Sequence, residues 1–171
     1  TNVGNDQLVP PQSWEFELET KKALGKWGTT TLRLYDSHVH DLVDYIPIGA
    51  SGESPGNLDG GRRYGIDWNS TIELAPLGIK GAKLDIKLLL EHARVRDPLT
   101  AQMRPMSEIQ DRVVEFGYRH DIPGSSIAYG FNLSNYHFED YYRLGEVGQA
   151  YEGPTFANVF IEHKNVLGLT M

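Results

Sequence analysis

The chain has 171 residues with no cysteine, and 16 Lys and Arg stand against 23 Asp and Glu for a formal net charge of −7. The acidic balance excludes a nucleic-acid partner, which needs clustered Lys and Arg to displace counterions, and the lack of cysteine excludes disulfide frameworks, thiolate metal sites and cysteine nucleophiles. At 40% apolar and a mean hydropathy of −0.40, the chain is too hydrophobic for disorder and lacks the run of about 20 apolar residues that a membrane-spanning helix requires, but a β-barrel wall, apolar only at alternate positions, meets both conditions.

In chain order, Thr1–Pro10 lacks the basic start and apolar core of a signal peptide, so the chain is mature, cytosolic or excised from something longer. Trp14, Phe16 and Leu18 then alternate with Glu15, Glu17 and Glu19, the period of a half-buried strand. Between Thr29 and Tyr45 the apolar positions are Leu32 and Leu34, then change parity to Val39, Val43 and Tyr45. That slip predicts a β-bulge near Tyr35–Ser37, after which Asp36, His38, His40 and Asp44 share the polar face.

Tyr64, Ile66, Trp68, Ile72 and Leu74 alternate with Arg63, Asp67, Asn69, Thr71 and Glu73; Leu84, Ile86, Leu88 and Leu90 alternate with Lys83, Asp85, Lys87 and Glu91, broken at Leu89. Ser107–Val114 is the one segment whose spacing admits a helix, and it flows into a strand carrying Val114, Phe116 and Tyr118. Ile127, Tyr129, Phe131 and Leu133 mark a further strand, and Thr155–His163 is strand-like with a less regular phase.

The connections are of two kinds. Short ones with turn-forming Gly or Pro fall at Ala23–Gly28, Ala75–Gly81, Asp121–Ser126 and Asn165–Gly168; long ones fall at Pro47–Arg62, Arg96–Ser107 and Asn135–Pro154. Their alternation predicts an antiparallel up-and-down meander of about eight long strands with short turns at one end and long loops at the other. This is the asymmetry of an outer-membrane barrel, and runs such as Arg63–Leu74 and Ala82–Val95 exceed the roughly 9–11 residues that cross a bilayer at a tilt. No internal domain boundary is visible. Periodicity does not orient the faces: in a soluble sandwich or small barrel the apolar row points inward, and in a membrane barrel it faces lipid.

Particular residues add to the pattern. Asn5–Ser13 (NDQLVPPQS), running into Trp14–Leu18, resembles the N-x-x-L-x-P-E-x-S segment before a strand in TonB-dependent outer-membrane receptors. Tyr35–Ile48 is similar to that family's F-x-x-x-I-x-D-L-I strand, Asn57–Ile72 to its N-x-x-x-A-x-x-x-G-V-E segment, and Arg119–Gly124 and Phe160–Gly168 to later strands and turns. Pro11 stands where Glu is usual and Gly60-Gly61 where Ala is expected.

The family's plug domain, energy-coupling box and aromatic-ended closing strand are missing, so the resemblance implies that residues 1–171 are part of a large transmembrane β-barrel in a bacterial outer membrane. It further implies uptake of a scarce nutrient, a metal chelate, cobalamin or glycan, with the lipid bilayer, the receptor's own plug and an inner-membrane energy-transducing complex as partners. Arg63, Asp67, Glu73, Lys83, Asp85 and Lys87 would then face the lumen, and Ile66, Trp68, Leu84, Ile86 and Leu88 the lipid. The alternative is a soluble β-sandwich or small-barrel module that binds a ligand such as a carbohydrate.

No enzymatic constellation stands out, and no cofactor is implied. The Glu15, Glu17 and Glu19 row has the spacing of a wetted strand face, and Ser125-Ser126 lacks a G-x-S-x-G elbow. His38 and His40 offer two imidazoles on one face, but no matched third ligand follows, and ordinary polar duty is the favoured reading over a metal site. The candidate recognition segment is Asn135–Pro154, where Tyr136, His137, Tyr141, Tyr142 and Arg143, with Phe138 and Tyr151, give a dense aromatic and cationic surface. The same segment could instead fold over its own rim.

Overall fold

The structure is a computed structural model that describes residues 4–50, 52–143, 145–149 and 153–164. It is all-β, with strands β1 (Gln12–Ala23), β2 (Gly28–His40), β3 (Leu42–Ile48), β4 (Gly52–Leu58), β5 (Gly61–Glu73), β6 (Ala82–Arg96), β7 (Met103–Pro105), β8 (Arg112–Asp121), β9 (Ile127–His137), β10 (Tyr141–Tyr142), β11 (Val147–Gly148) and β12 (Phe156–His163). Eight of them form one antiparallel sheet in the order β1-β2-β5-β6-β8-β9-β12, with β7 paired to the end of β6. Ser107–Val114 is not a helix: it runs irregularly into β8.

Three described connections are tight. Gly25–Trp27 and Ala75–Leu77 each make one 3-10 turn, and Ile122–Ser126 closes with the Ile127 carbonyl accepting from the Ile122 amide. Gly28 (φ 107°) ends the first of these, where a side chain would collide with the Thr71 carbonyl. Asn165–Gly168 lies outside the described residues. The three long connections, at the opposite end, carry the β3–β4 hairpin, β7, and the β10–β11 hairpin.

Directly opposed residues of antiparallel strands share a face, so the registers sort the sheet into two surfaces. One carries Trp14, Phe16 and Leu18 of β1, Leu32 and Leu34 of β2, Ile66 and Trp68 of β5, Leu84, Ile86, Leu88 and Leu90 of β6, Phe116 and Tyr118 of β8, and Phe131 and Leu133 of β9. The other carries Glu15, Glu17, Arg33, Arg63, Asp67, Glu73, Lys83, Asp85, Lys87, Glu115 and Arg119.

The apolar face is not a buried core: Trp14 is 76% exposed, Phe16 78% and Val159 84% on the edge strands, and Ile66 within the sheet stays 40% exposed, about as open as the Arg63 side chain on the ionic face at 41%. Among the described residues no second layer packs on the apolar face. Both β1 and β12 have one unpaired edge, and no closed barrel is present among the described residues.

The predicted bulge at Tyr35–Ser37 is absent: β1 and β2 keep one register from Gln12 opposite His40 to Ala23 opposite Thr29. What changes along β2 is the environment of each face. Leu32 and Leu34 share their face with Asp36, His38 and His40, so the exposed surface turns from apolar to polar part-way up the strand. The opposite face does the reverse, from Arg33 to the buried Val39. A parity change in sequence is thus produced by a polarity gradient along a regular strand. The true break lies at Asp41 (φ 55°), with Gly60 (φ 74°) on the adjoining strand. The pairing of β2 with β5 resumes beyond that break as β3 with β4, so Pro47–Arg62 is mostly a hairpin rather than an irregular loop.

Candidate functional site

The three long connections fold together into a cap at one end of the sheet. Even-numbered residues, exposed at Arg62, Tyr64 and Ile66 of β5, are the buried ones at Ser54, Gly56 and Leu58 of β4, because the left-handed Asp41 and Gly60 turn the hairpin over. Leu58 consequently packs with Ala93, Val95 and Met106, and Leu42, Ile46 and Ile109 extend this small core. The Met106 methyl occupies the space over Gly61 that a Cβ would need. The cap is also tied to the segment before β1: the Asn57 side chain donates to the Val9 carbonyl (2.8 Å) and the Asp41 carbonyl (2.7 Å), and Asn5 donates to the Pro55 carbonyl (3.0 Å).

Arg104 holds the cap's polar centre. Its side chain is 9% exposed; Nη2 lies 2.8 Å from Asp44 Oδ2 and Nε 3.0 Å from Asp97 Oδ2, while Nη1 donates to the Pro105 carbonyl at 3.0 Å. The guanidinium also sits 4.6 Å from the centre of the Tyr142 ring. Ser107 Oγ donates to Asp44 and accepts from the Tyr142 amide, linking β3, the β7–β8 connection and β10. Arg143 repeats the arrangement, with Nε 2.9 Å from Glu53 and its guanidinium 4.2 Å from the Tyr45 ring centre.

These groups border a cleft of about 510 Å³ whose walls include Leu42, Tyr45, Ser107, Ile109, Tyr141, Tyr142 and Arg143. Apolar walls with a few convergent polar groups are the usual make-up of a small-molecule site. Its rings and hydroxyls are set by ion pairs on the cap's inner side, so the cleft can stack and hydrogen-bond a ligand without first ordering long side chains.

Burial of the Asp97 carboxylate opposes its charge, but hydrogen bonds from the Thr100 amide, Arg104 and the Leu99 amide outweigh that cost and hold its pKa below the ordinary 3.8. A depressed folded-state pKa gives stability that is complete above about pH 4 and is lost as pH falls through the folded value. Proteolysis within Asp97–Ser107 is therefore expected to accelerate below about pH 4, and Asp97→Asn should abolish that acid dependence. Acid-independent cleavage of the unsubstituted chain would show that the carboxylate does not brace the cap.

The structure divides the predicted recognition residues. Tyr141, Tyr142 and Arg143 meet at the cleft. Tyr136 and His137 instead end β9, on opposite faces: the Tyr136 hydroxyl donates to Glu115 at 2.8 Å on the ionic face, and His137 Nδ1 pairs with Asp111 on the other. Tyr151 lies outside the described residues. Sequence reading missed Tyr45, Asp44, Arg104 and Ile109 because these approach the cleft from two other connections; the only local hint was that each connection was long. Asp44 does not join Asp36, His38 and His40, since it lies beyond the turn at Asp41. No group of three or more His, Asp or Glu side chains arranged to hold a metal occurs among the described residues.

The six residues predicted to line a lumen, Arg63, Asp67, Glu73, Lys83, Asp85 and Lys87, all share the ionic face. Arg63 makes a bidentate pair with Glu91 (3.0 and 2.9 Å), which also accepts a short hydrogen bond from the Tyr35 hydroxyl. Tyr35 lies across Gly65, where a Cβ would sit 2.6 Å from its hydroxyl. Lys83 reaches Asp85 at 3.0 Å, and Arg33 spans Glu17 and Glu15 at 2.7 and 3.1 Å. A trough of about 520 Å³ crosses this face from Asn69 and Thr71 to Asn158. No protein-family model and no curated protein matches the chain.

Proposed function

We propose that the chain is part of the barrel wall of a bacterial outer-membrane receptor for a scarce nutrient, with the apolar face against acyl chains, the ionic face toward a hydrated interior and the cap outside. The observation that carries this reading is a continuous uncovered apolar surface opposite paired charges. A patch of that extent is far larger than the few hundred Å² that water-soluble monomers expose. From Tyr64 to Ile72 it runs about 26 Å along β5 at about 3.3 Å per residue, or about 20 Å along an axis tilted about 40° from the strand, near the roughly 25 Å apolar belt of such barrels. The tight turns at one end and elaborated connections at the other support the same orientation.

The resemblance to TonB-dependent receptors extends the reading. The ionic row of Arg63, Asp67, Lys83, Asp85 and Lys87 would hydrogen-bond a plug or hydrated cargo, energy would come from an inner-membrane complex, and Tyr141, Tyr142 and Arg143 would grip the nutrient in the cleft. The proposed role is binding and passage, not catalysis.

Trp14 and Trp68 lie on the apolar face, and Trp27 lies in a tight turn. In Trp27→Phe chain reconstituted in lipid, the remaining tryptophans are expected to be quenched strongly by lipids brominated along the acyl chains. Quenching by aqueous iodide alone, or a monodisperse and cooperatively melting monomer without detergent, would overturn the reading in favour of a soluble ligand-binding module.

A further inference from the structure

Directly beyond the apolar band, the same outward face changes to basic side chains. His38 of β2 stands opposite Arg62 of β5, and Arg62 stands opposite Arg94 of β6. Arg112 of β8, opposite His137 of β9, is not in that row: it is in register with Leu90 of β6, four residues from Arg94. Arg96, one step further along β6, and His92, one step before, share the surface. Two carboxylates lie close by: Asp36 is held by Arg62, and Asp111 by His137.

Like charges placed abreast on adjacent strands cost stability, and an acidic chain has set Arg62 and Arg94 side by side. Both are exposed, Arg62 with 55% of its side chain accessible. Tyr64, one step toward the band, stacks with His92 and lies beneath the Arg62 guanidinium, 5.4 Å from it, so the row sits on an amphipathic aromatic step of the kind found where hydrocarbon gives way to headgroups.

We infer that this belt, His38–Arg62–Arg94, binds anionic, phosphate-bearing lipid headgroups of the leaflet on the cap side. Asp36 already pairs with Arg62, and an anionic headgroup between Arg62 and Arg94 supplies the second negative charge that the two guanidiniums need, their planar forks matched to phosphate oxygens. The inference rests on the membrane reading above and adds to it a lipid class and a depth.

The test is partitioning of the full chain into phosphatidylcholine vesicles with and without phosphatidic acid. Each arginine near a charged surface contributes about 1 kcal/mol, a factor of about five, so Arg62→Gln with Arg94→Gln should lower the preference for anionic vesicles about 25-fold while leaving insertion into pure phosphatidylcholine unchanged. Arg62→Lys with Arg94→Lys should retain most of the preference. Raising salt should weaken it in the unsubstituted chain, which tests the belt even if a variant misfolds. Equal partitioning into both vesicles, a preference that survives the glutamine changes, or insensitivity to salt would overturn the belt alone. Failure to enter either vesicle would overturn the membrane reading together with it.

Discussion

On the proposed membrane reading, Ile86→Arg is expected to destabilise the chain refolded into lipid by about 2–4 kcal/mol, the cost of a cation at the lipid face of a barrel near its midplane. Ile86 lies between Ser70 and Phe116 on the apolar face, within the band that runs from Leu84 to Leu90. Lys87→Ala, one residue along and on the opposite face, is expected to cost less than about 1 kcal/mol. Its amine is 3.9 Å from Glu115 and its side chain is 44% exposed, the setting of a weak surface ion pair. Denaturant titrations of refolding into vesicles measure both. Equal costs, or a large cost for Ile86→Arg that persists without lipid, would mean that the apolar face is covered by protein.

Arg104→Ala should unfold the cap, at about 3–5 kcal/mol for removing one partner of a buried charge cluster. Asp44 (8% exposed) and Asp97 (17% exposed) would lose their shared cation, Ser107 would lose its fixed partner, and Tyr142 the guanidinium against its ring. Hydrogen exchange resolved along the chain provides the measurement. Amides of Asp97–Ser107 and Tyr142 should lose protection, while β5 and β6, held by an unbroken ladder from Gly61 opposite Val95 to Glu73 opposite Lys83, keep theirs. Removing a carboxylate as well, in Asp44→Asn with Arg104→Met, should restore part of the loss, because the penalty comes chiefly from leaving charge unpaired. Uniform loss across cap and sheet would show that the cap is not a separate unit.

The cap explains why the recognition residues were only half legible. Tyr141, Tyr142 and Arg143 announced themselves by local density of aromatic and cationic side chains. Tyr136 and His137 have the same density, yet the β8–β9 ladder continues through both, from Arg112 opposite His137 and Val113 opposite Tyr136. Strand alternation then sends them to opposite faces. Composition identifies a sticky segment, but the point where a ladder stops depends on a partner strand about two dozen residues away.

The bulge expected near Tyr35–Ser37 is instructive for a related reason. A switch in apolar parity implies a bulge only if each face has one environment throughout its length. Here the outward face of β2 passes from Leu34 to Asp36 and the inward face from Arg33 to Val39 without any change in pairing. Asn5 and Asn57 tie the segment before β1 to the β3–β4 hairpin, a long-range contact that residue spacing does not announce.

Residue spacing alone specifies the long strands, their antiparallel meander and the division of side chains into an apolar and an ionic row, because a two-residue period fixes the face of every residue once a strand exists. Long-range pairing settles the rest: that nothing covers the apolar row, that three connections 40 to 50 residues apart share one cleft around Arg104, and that His38, Arg62 and Arg94 stand abreast. Those facts depend on register and on the reversal at Asp41 and Gly60, and both are set by contacts between segments that local spacing does not encode.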